Sequence, residues 1–193
     1  MFNDYLKAHQ FKVISVKKGE TIYEPGQQPK YVYFIQSGEV RMITVNDDND
    51  QFIQGVFKAD TYFGEPALLL QRPYLAFTIA AQDSMLTLVD RPAFLQFLEE
   101  DRAFSMNLIE TLSDRLFYKS MMLEEVANEQ AEHRLSTLIS YLSRNLESGA
   151  ALQVTRQALA DMSGLRVETV IRAVKKLAET GGLRLVKGKM FKM

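Results

Sequence analysis

The chain of 193 residues contains no cysteine. That absence excludes disulfides, thiolate zinc sites and cysteine-ligated iron–sulfur clusters together. Histidine is nearly as scarce: His9 and His133 are too few and too far apart in sequence for a metal cluster, and a solvated helical role suits His133. One axial His suffices for haem, so haem stays open on this ground. No apolar run approaches the roughly 18 residues of a membrane span. The opening MFNDYLKAHQ lacks the apolar core of a signal peptide, so a cytoplasmic protein without membrane contact is expected. Catalytic signatures are missing as well: there is no Gly-rich loop with Lys, no His-x-x-x-His and no Ser, His and acid grouping in a known motif. The acidic pairs Glu99-Glu100 and Glu124-Glu125 fall on polar helical faces. The chain therefore reads as a binding protein and not an enzyme.

What is present is a globular composition, 47% hydrophobic and 24% charged, with its charge unevenly spread. From Thr155 onward there are nine Lys and Arg against three Asp and Glu, net +6; the whole chain is -1, which leaves -7 for residues 1–154. Such segregation is the electrostatic footprint of a nucleic-acid module joined to an acidic domain, and the length suits two modest domains.

Within the basic part, Thr155 to Glu179 reads as two short helices around a turn. Leu159, Met162, Leu165, Val170, Val174 and Leu177 recur at helical spacing, Thr155 is a candidate N-cap and Gly164 supplies the turn. Arg166, Glu168, Thr169, Arg172, Lys175 and Lys176 are left outward on the second helix, residue types suited to base edges and phosphates. A basic helical face is ordinarily just solvated; its position in a cationic segment is what argues for DNA here. Gly181-Gly182 then ends that helix, and LRLV and KMFK about Gly188 form a minimal two-stranded wing, with Lys187, Lys189 and Lys192 along a phosphate backbone.

From Phe11 to about Arg91 the chain is a run of short strands, FKVISV, YVYFIQ, EVRMITV, QFIQGVF, LAFTIAA and SMLTLV, punctuated by Gly19, Pro25-Gly26, Ser37-Gly38 and the polar loop Asn46 to Asp50. Many short strands with glycine turns argue for an antiparallel roll or barrel. Pro92 to about Asn128 has helical spacing throughout, with the seam Ile109, Leu112, Leu116, Lys119, Leu123 and Val126. The seam either lies on the strands or pairs with another helix. Leu135, Leu138, Ile139 and Leu142 give the next helix its buried face.

At Thr155 to Arg172 the chain resembles the CRP/FNR family of bacterial transcription regulators, whose winged helix-turn-helix carries a pattern close to T-R-Q-x-[IL]-A-x-x-x-G-x-[ST]-R-E-T-V-x-R. Thr155, Arg156, Gln157, Leu159, Ala160, Gly164, Glu168, Thr169, Val170 and Arg172 match it in place. Arg166 and Val167 depart from it, Val167 replacing a base-reading Arg. The segment KKGETIYEPGQQPKYVYFIQSGEVRMI, followed by Phe63-Gly64-Glu65, is similar to the β-roll of cyclic-nucleotide-binding domains, with corners at Gly19, Gly26 and Gly38. In that family the backbone after the Gly and a following Arg hold the cyclic phosphate, while the Glu takes the ribose 2′-hydroxyl. Alignment on Pro73 and Ala76 puts Tyr74 at the Arg position, and Arg72 lies two residues earlier. A phenol offers one neutral hydrogen bond in place of a charged fork, and losing about 1.5–3 kcal/mol weakens an anion site roughly 10- to 100-fold. Cyclic AMP is accordingly not expected as effector; another small molecule, or none, is.

The resemblance implies an α+β chain: an antiparallel β-roll (jelly roll) over 1–98, a long dimerisation helix over 99–128 and a winged helix-turn-helix over 129–193. It implies a homodimer joined through Ile109, Leu112, Leu116, Leu123 and Val126, with Glu110, Asp114, Arg115, Glu124 and Glu125 on the exposed side. Double-stranded DNA with an inverted-repeat operator is the implied partner, and RNA polymerase a further one to consider. Thr155, Arg156, Gln157, Arg166, Glu168, Thr169, Arg172, Lys175, Lys176 and Lys187 are the expected DNA contacts. Phe63, Gly64, Glu65, Arg72 and Tyr74 would surround an effector acting through a hinge near Asn128. A second reading keeps a cyclic-nucleotide sensor, or a haem-based nitrosative one, whose basic tail makes non-specific or protein contacts.

Overall fold

The computed structural model describes residues 10–46, 50–127 and 130–193. His9, the expected hinge at Asn128 and residues 47–49 of the polar loop lie outside them. The chain divides into two compact units, one ending at Glu110 and the other beginning at Thr111.

In the first unit, β1 (Lys12–Val16), β2 (Thr21–Tyr23), β3 (Tyr31–Ser37), β4 (Glu39–Val45), β5 (Gln51–Lys58), β6 (Tyr62–Phe63), β7 (Phe77–Ala80) and β8 (Ser84–Asp90) form two four-stranded antiparallel sheets. Their orders are β1-β8-β3-β6 and β2-β7-β4-β5, the expected jelly roll. Val16, Ile35, Val40, Phe57 and Leu86 are buried in its core. Short β2 and β6, and the helix α1 (Glu65–Leu70), were not foreseen; two or three residues are too few to display an alternation.

The corner from β3 to β4 turns on Gly38, at φ +96°. A Cβ there would lie 2.2 Å from Ser84 Oγ and 2.5 Å from the Asp83 carbonyl, so the corner can lie against the start of β8 only without a side chain.

The single helix expected after Pro92 is two: α2 (Arg91–Glu100) and α3 (Arg102–Ala127). Asp90 opens α2 by accepting the Ala93 N–H at 3.0 Å. Asp101 is extended, at φ -115° and ψ 93°, and its carboxylate accepts the Phe104 N–H at 3.0 Å. It closes one helix and caps the next. The long helix drawn from 99 thus starts at Arg102, and Glu99 and Glu100 belong to α2. Apolar spacing continues across the break, through Phe94, Phe97 and Phe104, which hid it.

The second unit holds the later part of α3, α4 (Ala131–Ser143), α5 (Arg156–Ser163), α6 (Val167–Glu179) and the hairpin β9 (Arg184–Val186) and β10 (Lys189–Phe191). Leu135, Leu138, Leu159, Val170, Val174, Leu183 and Met190 are its buried apolar residues. α3 and α4 run antiparallel. Tyr118 stacks on Tyr141 at 4.3 Å, and Asp114 accepts from the Tyr141 hydroxyl at 2.9 Å and from Arg144 at 2.7 Å. Two acids assigned to the exposed side of a helix pair therefore face α4 instead: Asp114, and Glu125, which is only 5% exposed and accepts from Thr137 at 2.8 Å. Both find donors there that the seam's own periodicity does not reveal.

Replacing Gly38 by Ala should destabilise the chain by roughly 2–5 kcal/mol, the sum of left-handed strain and overpacking. At Gly26, where a Cβ meets nothing within 4 Å, the same change should cost only the strain, about 1–2 kcal/mol. Urea unfolding with unchanged slopes measures both; equal losses would refute the steric argument.

Candidate nucleic-acid interface

α5 begins where the Thr155 hydroxyl accepts the Ala158 N–H at 3.0 Å. Gly164, left-handed at φ 66°, ends it by donating its N–H to the Ala160 carbonyl. Arg166 is extended and opens α6. Along α6, Val170, Ala173 and Val174 are buried, while Arg166, Glu168, Arg172 and Lys175 are exposed and Thr169 is half-buried. These are the expected reading residues; Glu168, Thr169, Arg172 and Lys175 share one helical face, and Arg166 stands at its N-cap. Ile171 joins them, 40% exposed. The sequence reading left it on neither face; its spacing of three from Glu168 was the available signal.

Other expected contacts are engaged within the chain. Lys176 pairs with Glu132 on α4 at 2.7 Å, and Gln157 donates to Asp161 at 2.7 Å. Arg156 is half-buried, and burial lowers its pKa. Lys192, expected along a phosphate backbone, instead donates to the Leu146 carbonyl at 2.7 Å, just beyond α4. The wing turns at Lys187 and Gly188, with φ 47° and 78°, the two left-handed residues that a tight hairpin requires. Lys187 and Lys189 are exposed there.

A polar knot behind the reading unit was not foreseen. Arg134 donates to the carbonyls of Glu125 at 3.3 Å and Val126 at 3.4 Å, and to that of Ser163 at 3.2 Å. His133 is exposed as expected, but its Nδ1 lies 2.6 Å from the Glu125 carboxylate. Burial opposes charge on Glu125; the His133 and Thr137 hydrogen bonds and the neighbouring His133 and Arg134 charges outweigh it and hold the carboxyl below the usual range.

In the first unit, the expected effector residues meet a packed interior. Phe63 is fully buried and stacks on Tyr33 at 5.0 Å; Gly64 caps α1 in the left-handed region at φ 90°; Glu65 is fully buried in the first turn of α1. Tyr74 is buried and stacks on Tyr23, with ring centroids 3.6 Å apart and planes 6° from parallel. Burial, then its neighbours Tyr33 and Tyr23, push the Tyr74 phenol above its ordinary pKa, so it offers no charge to an anion. Arg72 is exposed. Among the described residues no group of three or more His, Cys, Asp or Glu is arranged to hold a metal ion, and no helix is long and apolar enough to cross a membrane.

Two family models match the chain: the cyclic nucleotide-binding domain over residues 13–101 and the Crp-like helix-turn-helix domain over residues 133–192. Among curated proteins, a cyclic AMP receptor protein of Thermus thermophilus is 27% identical, across 89% of this chain and 79% of its own length. A global nitrogen regulator of Nostoc is 26% identical, across 92% of this chain and 83% of its own. The crystal structure of a CRP/FNR-family transcriptional regulator from Thermus thermophilus superposes with a TM-score of 0.68 at 25% identity, covering 94% of this chain and 93% of that one.

Because its pKa is depressed, Glu125 contributes stability that is present above the ordinary carboxylate range and lost as pH falls through the lowered value. The stability gap between the native chain and Glu125→Gln should be full above the ordinary carboxylate range and narrow only as pH falls through the lowered value. Urea unfolding across that range tests it, and a gap unchanged into strong acid would refute it.

Proposed function

The chain belongs to the CRP/FNR family of transcription regulators, and from that premise we propose that two copies pair through α3 to read an inverted-repeat operator with α6. It is a regulator and not an enzyme. The observation that carries the reading is the face of α6, on which Glu168, Ile171, Arg172 and Lys175 stand together, with Arg166 at the N-cap, on a helix whose other side is buried. In a major groove, Glu168 accepts from a cytosine amino group, Arg172 forks onto a guanine, Ile171 meets a thymine methyl, and Arg166 and Lys175 take phosphates. Thr155 keeps its hydroxyl proton for a phosphate, since its oxygen serves the cap only as acceptor. Lys187 reaches the backbone from the wing. With Val167 in place of an Arg, base reading leans on fewer residues, and the operator differs from the one the family pattern implies.

Pairing is supported by α3. Ile109 is 55%, Leu116 66%, Leu123 71% and Val126 48% exposed, with Phe117 at 69% beside them. A row of large apolar side chains in water along one helix is what a helical partner covers. A twofold pair sets its reading helices about 34–36 Å apart, matching successive major grooves. In the roll, the aromatic packing around Tyr74 supports a pocket that no longer takes cyclic AMP.

Arg172→Ala should weaken specific binding to a selected operator about 10- to 100-fold, corresponding to roughly 1–3 kcal/mol, while Lys175→Ala should weaken all sequences alike and reduce the salt slope by about 0.9. Competition binding at several salt concentrations separates the two; unchanged specific affinity in Arg172→Ala would overturn the assignment. Calorimetry with cyclic AMP should give no micromolar binding, and a micromolar isotherm would contradict the reading of Tyr74.

A further inference from the structure

The apolar row of α3 is interrupted once. Ile109, Leu112, Leu116, Lys119, Leu123 and Val126 follow one another at alternating steps of three and four, so they lie along one side of a 26-residue helix. Lys119 stands between Leu116, 66% exposed, and Leu123, 71% exposed. Arg115, four residues earlier, adds a like charge on the neighbouring row.

What lies opposite Lys119 in a pair follows from symmetry. Two reading helices can address one face of a duplex only if their α3 helices run parallel, because an antiparallel pair sends them to opposite ends. In a parallel, in-register pair each residue of the row meets its own copy across the axis, so Lys119 faces Lys119 of the partner subunit. The positions that flank the row around that level hold Ser113, Arg115, Ser120 and Met122, where two-stranded coils commonly place Glu against Lys. All four acids of this stretch, Glu110, Asp114, Glu124 and Glu125, fall outside those positions. Asp114 is moreover engaged by Tyr141 and Arg144, and Glu125 by His133 and Thr137. The partner's edge therefore brings Ser120 to this level and no carboxylate.

We propose that Lys119 is an electrostatic brake on pairing: two chains close along α3 against the repulsion of two facing ammoniums, so the dimer is weak at low ionic strength and tightens as salt screens them. The inference rests on the proposed pairing through α3. Side chains that meet across a helical pair lie within the Debye length of about 10 Å at 0.1 M salt and beyond that of about 3 Å at 1 M, so salt decides how much of the repulsion is felt. The Leu and Ile steps supply the attraction and the Lys step subtracts from it, as a polar residue in such a row does. Operator binding and pairing are then coupled, since a duplex that holds two reading helices favours the closed pair.

Sedimentation equilibrium of the full chain without DNA, at about 50 mM and about 1 M sodium chloride, tests the brake. The native dimer Kd should fall about tenfold from low to high salt. Lys119→Gln keeps the reach and polarity of the side chain without its charge; at low salt its Kd should lie about tenfold below the native one, and it should change less with salt. Lys119→Glu mixed with tagged native chain tests the facing itself. Captured mixed dimers should far outnumber both like-charged ones at low salt and approach the random share at high salt. Equal Kd values for native and Lys119→Gln at low salt, or random mixing with Lys119→Glu there, would overturn the brake and leave pairing standing. If native chain and Lys119→Gln both stay monomeric at either salt, the pairing itself fails and the brake with it, so the two failures are told apart.

Discussion

One guanidinium, that of Arg134, joins the ends of two helices. The last carbonyls of any helix lack partners within it and carry partial negative charge. Arg134 donates to Glu125 and Val126 near the end of α3 and to Ser163 at the end of α5, so one rigid cation satisfies groups on both. Glu125 beside it binds His133 and Thr137 of α4. The three helices are thereby held as one body. The next residue after Ser163 is Gly164, where the chain turns toward α6, so the direction of the reading helix follows from this knot. Lysine, with three donors on a single nitrogen, does not span the same carbonyls.

The roll is organised by a different economy, that of aromatic faces. Tyr23 and Tyr74 stack, as do Tyr33 and Phe63, and the two pairs share edges. Each stacked pair is worth about 0.5–1.5 kcal/mol beyond the area it buries. A guanidinium at Tyr74 would need an anion opposite it; the neutral phenol stacks its ring on Tyr23 and asks only for one hydrogen-bond partner at its hydroxyl. Such an interior has less reason to open for a polar solute.

How far the sequence could be read follows from what periodicity encodes. Strands of five or more residues rich in β-branched and aromatic residues, such as β1, β4 and β5, were visible in the sequence, and so were the two helices around Gly164. β2 and β6 are too short to alternate. The break at Asp101 was hidden because the apolar spacing of α2 runs on in phase into α3, and only the capping preference of an isolated Asp marked it. Periodicity also tells which face of a helix is apolar, not which polar side chain will meet another helix. Asp114, Glu125 and His133 looked solvated for that reason, and the outward Ile171 went unread.

Net charge suffers from the same blindness. The +6 of residues 155–193 counts nine cations as if all faced a duplex. Lys176 is paired with Glu132, Lys192 is spent on backbone carbonyls, Arg156 is half-buried and Arg184 lies over the Phe191 ring at 5.3 Å. Arg166, Arg172, Lys175, Lys187 and Lys189 remain, all on α6, its N-cap or the wing. Phosphate attraction scales with cations that release counterions on binding, not with formal charge. The acidic remainder of the chain, at -7, adds repulsion that salt screens beyond roughly 8 Å. Those five cations sit beside Glu168 and Ile171, on α6, at its N-cap or on the wing, and the proposed DNA reading rests on that surface.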